Sequence, residues 1–291
     1  MPLFIRCLKT CHRLAVLCAA VGIGMVGWTC AELDVAEMRF ACQKDEDCDA
    51  DYACLVEPGL STRICKLVTS SFGPDLVLTL KNMTAHVGQL TEIRVVSGSG
   101  FLRARAILDP LDAPEALIEM PGAVPAIGLP YTLQAYADLD KSGDYTPPKA
   151  DHAWERELTS ATYEFVHDTL FVDLEEPKPI GGDFVLHVTG MDKFHKNALF
   201  EVRVREMATG ATVGMYRLAK IPDAADFKVL IPGIIDASSV YEVDFYADVN
   251  GNKEYDTIPT DHAWRIKQEA TPDAELILEW EHTPDFVDIQ F

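Results

Sequence analysis

Short runs of apolar and β-branched residues, often alternating with polar ones, recur along the chain after residue 75. Glycine and proline separate the runs every ~8–14 residues, and no stretch has the apolar stripe and caps of a helix. About seven short strands in ~105 residues is typical of an antiparallel β-sandwich. The clearest runs are at 76–80, 92–96, 103–108, 200–205, 241–246 and 275–279.

The β-rich part of the chain contains one unit twice. Residues 131–154 align with 241–264 at a constant offset of 110, and nine of the 24 positions are identical. Average composition gives about one or two identities by chance. The aligned blocks end in Trp154 and Trp264, which we expect to fill the space between two sheets.

The match extends outward and defines the domain boundaries. Segment 171–174 parallels 286–289, as 92–95 parallels 201–204. We place one repeat at 71–178 and its duplicate at 179–291, joined by a polar Pro/Gly linker over 175–182. The predicted fold class is all-β, with two tandem antiparallel sandwiches of the immunoglobulin-like or transthyretin-like type. The strand order stays open.

The N-terminal segment has the pattern of an export signal. Three basic side chains flank or precede an apolar run over 14–28, and no acidic residue occurs before Glu32. The run is shorter than the ~20 residues of a membrane helix, so a signal peptide over 1–30 is favoured over a signal-anchor. Either Cys30 is lipidated, as in a bacterial lipoprotein, or ordinary cleavage follows Ala31.

The charge balance restricts the partners. The chain has 25 Lys+Arg against 46 Asp+Glu and a formal charge of −21, which becomes −24 without the three basic residues of the leader. This balance argues against nucleic acid and against an anionic membrane surface. The remaining partners are an envelope protein or a glycan, with membrane attachment only through a lipid at Cys30.

The cysteines after the leader are confined to a segment that we place at 31–70. An even number in an exported chain predicts two disulfides, with three connectivities open, and the absence of close C-x-x-C pairs argues against zinc. The C-x5-C-x5-C spacing resembles small cysteine-rich modules of secreted proteins and lipoproteins, including those of myxobacteria. The four cysteines are Cys42, Cys48, Cys54 and Cys65.

Two acidic loops occupy matching places in the repeats. Their alternating oxygen side chains resemble the first half of an EF-hand loop, but Lys149 and Pro259 stand where such a loop has its bidentate Glu. Both a calcium site and a plain hairpin turn, which uses the same residue types, stay open. The candidate ligands are Asp138, Asp140, Ser142, Asp144 and Asp151 in the first repeat and Asp248, Asn250, Asn252, Glu254 and Asp261 in the second.

His152 and His262 each follow an aspartate, which could orient a ring nitrogen for a transition metal or for catalysis. In an alternating strand each histidine shares a face with the tryptophan two residues on. We therefore predict packed, hydrogen-bonded histidines rather than ligands.

Motifs of catalysis are absent from the sequence: there is no G-x-S-x-G, H-E-x-x-H or P-loop pattern. We predict a non-catalytic, exported cell-envelope protein with a structural or binding role. The alternative is a carbohydrate-binding protein with Tyr145, Tyr255 and the repeated tryptophans as stacking platforms. A hydrolase is the third possibility.

Overall fold

The computed structural model describes residues 40–43, 52–56, 63–67, 75–124 and 131–289. Every described residue belongs to one compact unit, Arg39–Phe291. The predicted signal peptide and the predicted lipidation of Cys30 therefore lie outside the described residues, as does Cys48.

Three short strands form an antiparallel sheet in the cysteine-rich segment. They are β1 (Phe40–Cys42), β2 (Tyr52–Val56) and β3 (Arg63–Leu67), in the order β1-β3-β2. The backbone register sets Cys54 opposite Cys65, and Cys42 is disulfide-bonded. How the four cysteines pair stays a prediction.

Seven strands form the first repeat and fold into two sheets. They are β4 (Leu76–Lys81), β5 (Thr91–Ser97), β6 (Leu102–Asp109), β7 (Ala116–Met120), β8 (Tyr131–Ala137), β9 (His152–Leu158) and β10 (Thr162–Val166). One sheet has the order β10-β4-β7, and the other contributes β6-β5-β8-β9. Apolar side chains on the facing surfaces form one buried core.

Seven strands form the second repeat in the same way. They are β11 (Gly182–Thr189), β12 (Leu199–Glu206), β13 (Thr212–Leu218), β14 (Asp226–Ile235), β15 (Val240–Asp248), β16 (His262–Glu269) and β17 (Leu276–Glu281). The orders are β14-β11-β17 and β16-β15-β12-β13. The predicted all-β class and the seven strands per repeat are confirmed, and the described residues contain no α-helix.

Both repeats share one strand order. With the strands of a repeat lettered A to G along the chain, the sheets are D-A-G and C-B-E-F. Immunoglobulin constant domains have ABED and CFG sheets. The immunoglobulin-like alternative therefore does not describe the observed strand order. The first and last strands of each repeat pair in parallel, while the other pairings inside a repeat are antiparallel.

The two sandwiches are joined edge to edge. Strands β6 and β13 pair in parallel over five residues, from Gly214 opposite Arg105 to Leu218 opposite Asp109, which makes one eight-stranded sheet. The cores interlock at this seam because Met215 packs into the core of the first repeat, whereas Leu102 packs into that of the second.

The segment predicted as a linker is held against both repeats. The carboxylate of Glu176 accepts a hydrogen bond from Arg94 at 2.6 Å, and Pro177 is buried. A Cβ on Gly181 would lie 2.1 Å from the backbone oxygen of Ile235, and one on Gly182 would lie 2.1 Å from that of Ala274. These glycines therefore permit close backbone approach rather than flexibility.

Candidate functional site

A repeated segment after strand G crosses to the start of strand F and organises the candidate site. In the first repeat the N–H of Val172 donates to the oxygen of Ala153 at 2.9 Å, and that of Leu174 to the Tyr145 hydroxyl at 2.9 Å. The segment 286–289 makes the corresponding bonds to Ala263 and Tyr255. This crossing explains why 171–174 recurs in the sequence.

The acidic loop of the first repeat is folded around two buried aspartates. Asp138 accepts the backbone N–H groups of Ser142 and Gly143 at 3.2 and 2.9 Å. Asp151 accepts those of Leu139 and Thr146 at 2.8 and 2.7 Å. Four backbone donors are thus satisfied by two carboxylates, which is the arrangement of a side-chain-stapled turn.

Three of the five predicted ligands in this loop converge. One carboxylate oxygen from each of Asp138, Asp140 and Asp151 lies within 4.8 Å of the others. The side chain of Ser142 instead donates to the backbone oxygen of Asp144 at 2.8 Å, and Asp144 is exposed. Hydrogen bonds from Ser142 lower the pKa of Asp140.

The loop of the second repeat has the same two buried carboxylates. Asp248 accepts N–H groups of Gly251 and Lys253, while Asp261 accepts those of Val249 and Asp256. The predicted ligands Asn250 and Asn252 both turn their amides to the carboxylate of Asp256, at 2.6 and 2.7 Å. Glu254 is exposed.

Asp256 was missed by sequence reasoning. It aligns with Thr146, so the comparison of the two repeats carried no signal for an acid at that position.

The repeated tryptophans are core residues, as predicted. Trp154 is 0% and Trp264 3% exposed, and their ring N–H groups donate to the backbone oxygens of Asp168 and Thr283 at 3.0 Å. Their faces are therefore unavailable to a sugar, which removes the tryptophan half of the predicted stacking platform.

His152 and His262 are packed, as predicted, on the phenylalanines of the crossing segments. His152 stacks on Phe171 and His262 on Phe286, both with ring centroids 3.8 Å apart. Neither preceding aspartate orients its histidine, because both oxygens of Asp151 and of Asp261 accept backbone N–H groups of their own loops.

Each repeat gathers three histidines beside its buried tryptophan; we call these groups the histidine triads. Each triad takes one histidine from the turn after strand A, one from the start of strand F and one from just after strand G. The alignment of the two repeats, which pairs His152 with His262, identifies one member of each triad. The triads are His86, His152 and His167 in the first repeat and His195, His262 and His282 in the second.

Burial disfavours the charged form of these rings. It lowers the pKa of His195 to about 4, with the neighbouring His262 and His282 adding to the effect. Burial also lowers the pKa of His86, against the raising effect of a hydrogen bond that its ring donates to Gln89. The lowered pKa of His86 and of His195 favours the neutral form of these two rings near neutral pH.

We expect the protein to lose stability as the pH falls from about 6.5 towards 4. His195 has a folded-state pKa of about 4, so the unfolded chain takes up its proton first and unfolding is favoured in that window. The contribution of His195 is on the order of 3 kcal/mol, present above pH ~6.5. The facing rings are His262 and His282, which both add to the lowering of the His195 pKa, while Asp261 raises the pKa of His262 against its burial.

Urea midpoints at several pH values in chelator measure this loss. The variant His195→Gln should have a flatter profile between pH 6.5 and 4 than the unmodified protein. Parallel profiles would contradict the assignment to His195, because carboxylate titration is common to both proteins.

Each repeat has a cluster of charged side chains on the face of its four strands that points away from its own core, and the two clusters lie on opposite faces of the eight-stranded sheet. In the first repeat Glu92 pairs with Arg94 and Arg105, and all three are buried. In the second, Glu201 pairs with Arg203 and Arg217 at 2.9 and 2.7 Å. Burial alone would raise the pKa of Glu201, but the two guanidinium charges outweigh it and hold the pKa below its ordinary value.

A cleft of about 600 Å³ lies between the repeats. Tyr145 and Asp144 of the first acidic loop line one side, and Lys228 and Tyr216 of the second repeat line another. Its remaining wall includes the buried Glu92 cluster. The mixture of charges and aromatic rings suits a polar ligand better than an apolar one.

These features define an all-β protein of two tandem β-sandwich repeats that share a sheet. No family model and no curated protein matches the chain. Among solved structures, the tip fimbrial protein Mfa3 from Porphyromonas gingivalis is 9% identical at a TM-score of 0.21, over 68% of this chain and 82% of that chain. The Bacillus anthracis TIE protein is 11% identical at a TM-score of 0.20, over 80% and 39%. Such TM-scores establish no shared fold.

The described residues include no helix that is long and apolar enough to cross a membrane.

Proposed function

We propose that the protein is a non-catalytic, exported component of the cell envelope, in which the two repeats form one rigid scaffold that presents its loops to a partner. The observation that carries this proposal is the parallel pairing of β6 with β13. It fixes the two acidic loops and the cleft relative to one another. A rigid scaffold limits the entropy lost when a partner binds.

Supporting features come from the buried charges. The buried carboxylates Glu92 and Glu201 are each paired with two arginines. Carboxylates paired in this way serve structure rather than proton transfer, because a general acid or base must be free to gain and lose a proton.

Export is tested by expressing the full chain in a Gram-negative host and fractionating the cells. We expect the protein in the envelope or medium, with a mature N-terminus near Cys30 by mass spectrometry. A lipid-sized mass increment on Cys30 would establish the lipoprotein form, and cleavage after Ala31 the ordinary form. An unprocessed chain in the cytoplasm would contradict the proposal.

A second candidate function is glycan binding in the cleft. Tyr145 lies at its wall, where a partly exposed ring can stack on a sugar. Tyr255 holds the same structural place in the second repeat, with a hydroxyl that likewise accepts the N–H of the crossing segment.

The equivalence of the two tyrosines supplies a matched control. If a glycan binds in the cleft, Tyr145→Ala should weaken binding by about tenfold or more, the value of one stacking contact. Tyr255→Ala, with similar structural cost, should leave it unchanged. Equal effects of both variants in titration calorimetry would contradict a cleft site.

The calcium site in the first acidic loop stays a prediction. If it exists, calcium should raise the melting midpoint over that in excess chelator, because a ligand of the native state stabilises it. Asp140→Asn removes one of the three carboxylates that converge in the first loop and should reduce the increase. Equal midpoints with and without calcium, and no heat of binding, would contradict the prediction and leave the stapled turn.

A further inference from the structure

The chain concentrates its histidines in two places. It has eight in all. Six form the two triads; the others are His12, in the predicted leader, and His187, a partly exposed residue of β11. The three positions of a triad lie on three separate elements of each sandwich. Their convergence twice in one chain is a property of the fold and not of a histidine-rich segment.

Ring nitrogens face one another across each triad. The Nε2 atoms of His86 and His167 are 3.1 Å apart, and so are those of His195 and His282. In the second repeat, Nδ1 of His262 lies 3.5 Å from Nε2 of His195. Two nitrogen ligands on a tetrahedral ion with bonds of ~2.0–2.1 Å lie ~3.3 Å apart. The observed separations bracket that value.

The equivalent nitrogen of the first triad is left without a partner. Nδ1 of His152 is buried, and among the described residues it neither donates nor accepts a hydrogen bond. A buried ring nitrogen without a bond costs stability unless something else occupies it. It stands where His262 in the second repeat turns its Nδ1 towards the triad.

The first triad also has an outer partner that sets a tautomer. Nδ1 of His86 lies 2.9 Å from Oε1 of Gln89. Because an amide oxygen only accepts, Nδ1 carries the proton and the lone pair of Nε2 points into the triad. Metal-ligating histidines are oriented in this way, by a hydrogen bond from the nitrogen that does not bind the metal.

We propose that each histidine triad binds one transition-metal ion of the borderline class that imidazole prefers, with Zn²⁺ as the reference ion. Neutral imidazole nitrogens suit Zn²⁺, Cu²⁺ and Ni²⁺, whereas calcium and magnesium take oxygen ligands. The central ring of each set, His86 or His195, is buried, and the other two are half-buried, which leaves an approach from solvent.

One adjustment accompanies binding. Among the described residues, the aspartates of the first loop form the group whose ligand atoms all lie within 4.8 Å of one another. In each triad one half-buried ring must therefore turn to complete a three-nitrogen set, and water fills the fourth position of a tetrahedral ion. The stacked rings Phe171 and Phe286 limit this movement to small rotations.

Zinc titration of the chelator-treated, dialysed protein with oxidised cysteines tests the proposal. We expect two zinc ions per chain by calorimetry, and a higher melting midpoint with zinc. His86→Gln and His195→Gln should each remove one ion, and the double variant both. Co²⁺ should give the visible absorption of a tetrahedral nitrogen site, and a large excess of calcium should not displace it.

The control is His187→Gln, which changes a histidine outside the triads and should keep both ions. If either buried variant fails to fold by circular dichroism, His152→Gln and His262→Gln change half-buried rings at the same sites and replace it. Unchanged stoichiometry in a folded variant that lacks one histidine from each triad would overturn the proposal. So would the absence of saturable zinc uptake by the unmodified protein.

Discussion

Replacing Glu201 by Gln is expected to destabilise the protein by about 3–5 kcal/mol, as found when one partner of a buried ion pair is removed. Glu201 is 0% exposed. It accepts hydrogen bonds from Nε of Arg203 at 2.9 Å and from Nε of Arg217 at 2.7 Å. The neutral amide leaves two guanidinium groups on the covered face of the sheet without their counter-charge, and its own N–H₂ faces two donors.

The measurement is a urea denaturation curve with a matched surface pair as control. Asp223 pairs with Lys196 at 2.5 Å, and both side chains are exposed. Asp223→Asn should therefore cost less than about 1 kcal/mol. A similar small loss for both variants would show that the pairing of Glu201 is not a structural element of the sheet.

The second large effect is expected for Trp154→Ala, at about 3–5 kcal/mol, the cost of truncating a large buried ring. The indole packs edge-to-face against Phe165 and Phe171, and against His86 of the triad, with centroids 5.3–5.6 Å apart. Its removal opens a cavity between the two sheets and leaves the oxygen of Asp168 without the indole donor.

Leu170→Ala provides the control for this variant, because Leu170 is 70% exposed and directly precedes Phe171 of the crossing segment. Its loss should stay within about 0.5 kcal/mol. Equal urea midpoints for Trp154→Ala and the unmodified protein would contradict the role of this ring as a core anchor.

The strands and the duplication were predictable because both leave local patterns in the sequence: alternating apolar and polar residues, and repeated residues at a constant spacing. Alternation with period two fixes which residues face the core. A repeated Trp at a matched place can be recognised without knowledge of its neighbours. The strand order was not predictable, since it depends on which edges meet, and backbone edges carry no residue code.

The pairing of β6 with β13 could not be predicted for the same reason. Hydrogen bonds between backbones join the repeats at this seam. Gly214 lies at the seam, but its small size is required by the packing of the two sheets within the second repeat, because a Cβ there would lie 2.4 Å from Cδ1 of Ile234.

The acidic loops were found from their spacing, but the partners of their side chains were not. Asp138 and Asp151 turned out to bind backbone N–H groups, a use of carboxylates that does not require a cation. The triads were not predicted, because equivalent histidines of the two repeats are separated by different numbers of residues. The separation is 109 for His86 and His195 but 115 for His167 and His282. A single alignment register aligns only His152 with His262.

The claim on which the scaffold proposal rests is that the two repeats unfold as one body. Scanning calorimetry of the full chain tests it most directly. A shared sheet and interlocked cores predict one transition for the repeats, with calorimetric and van't Hoff enthalpies in a ratio near 1. In Trp154→Ala the whole transition should move to lower temperature. Two separate transitions, with only one displaced by Trp154→Ala, would contradict the claim.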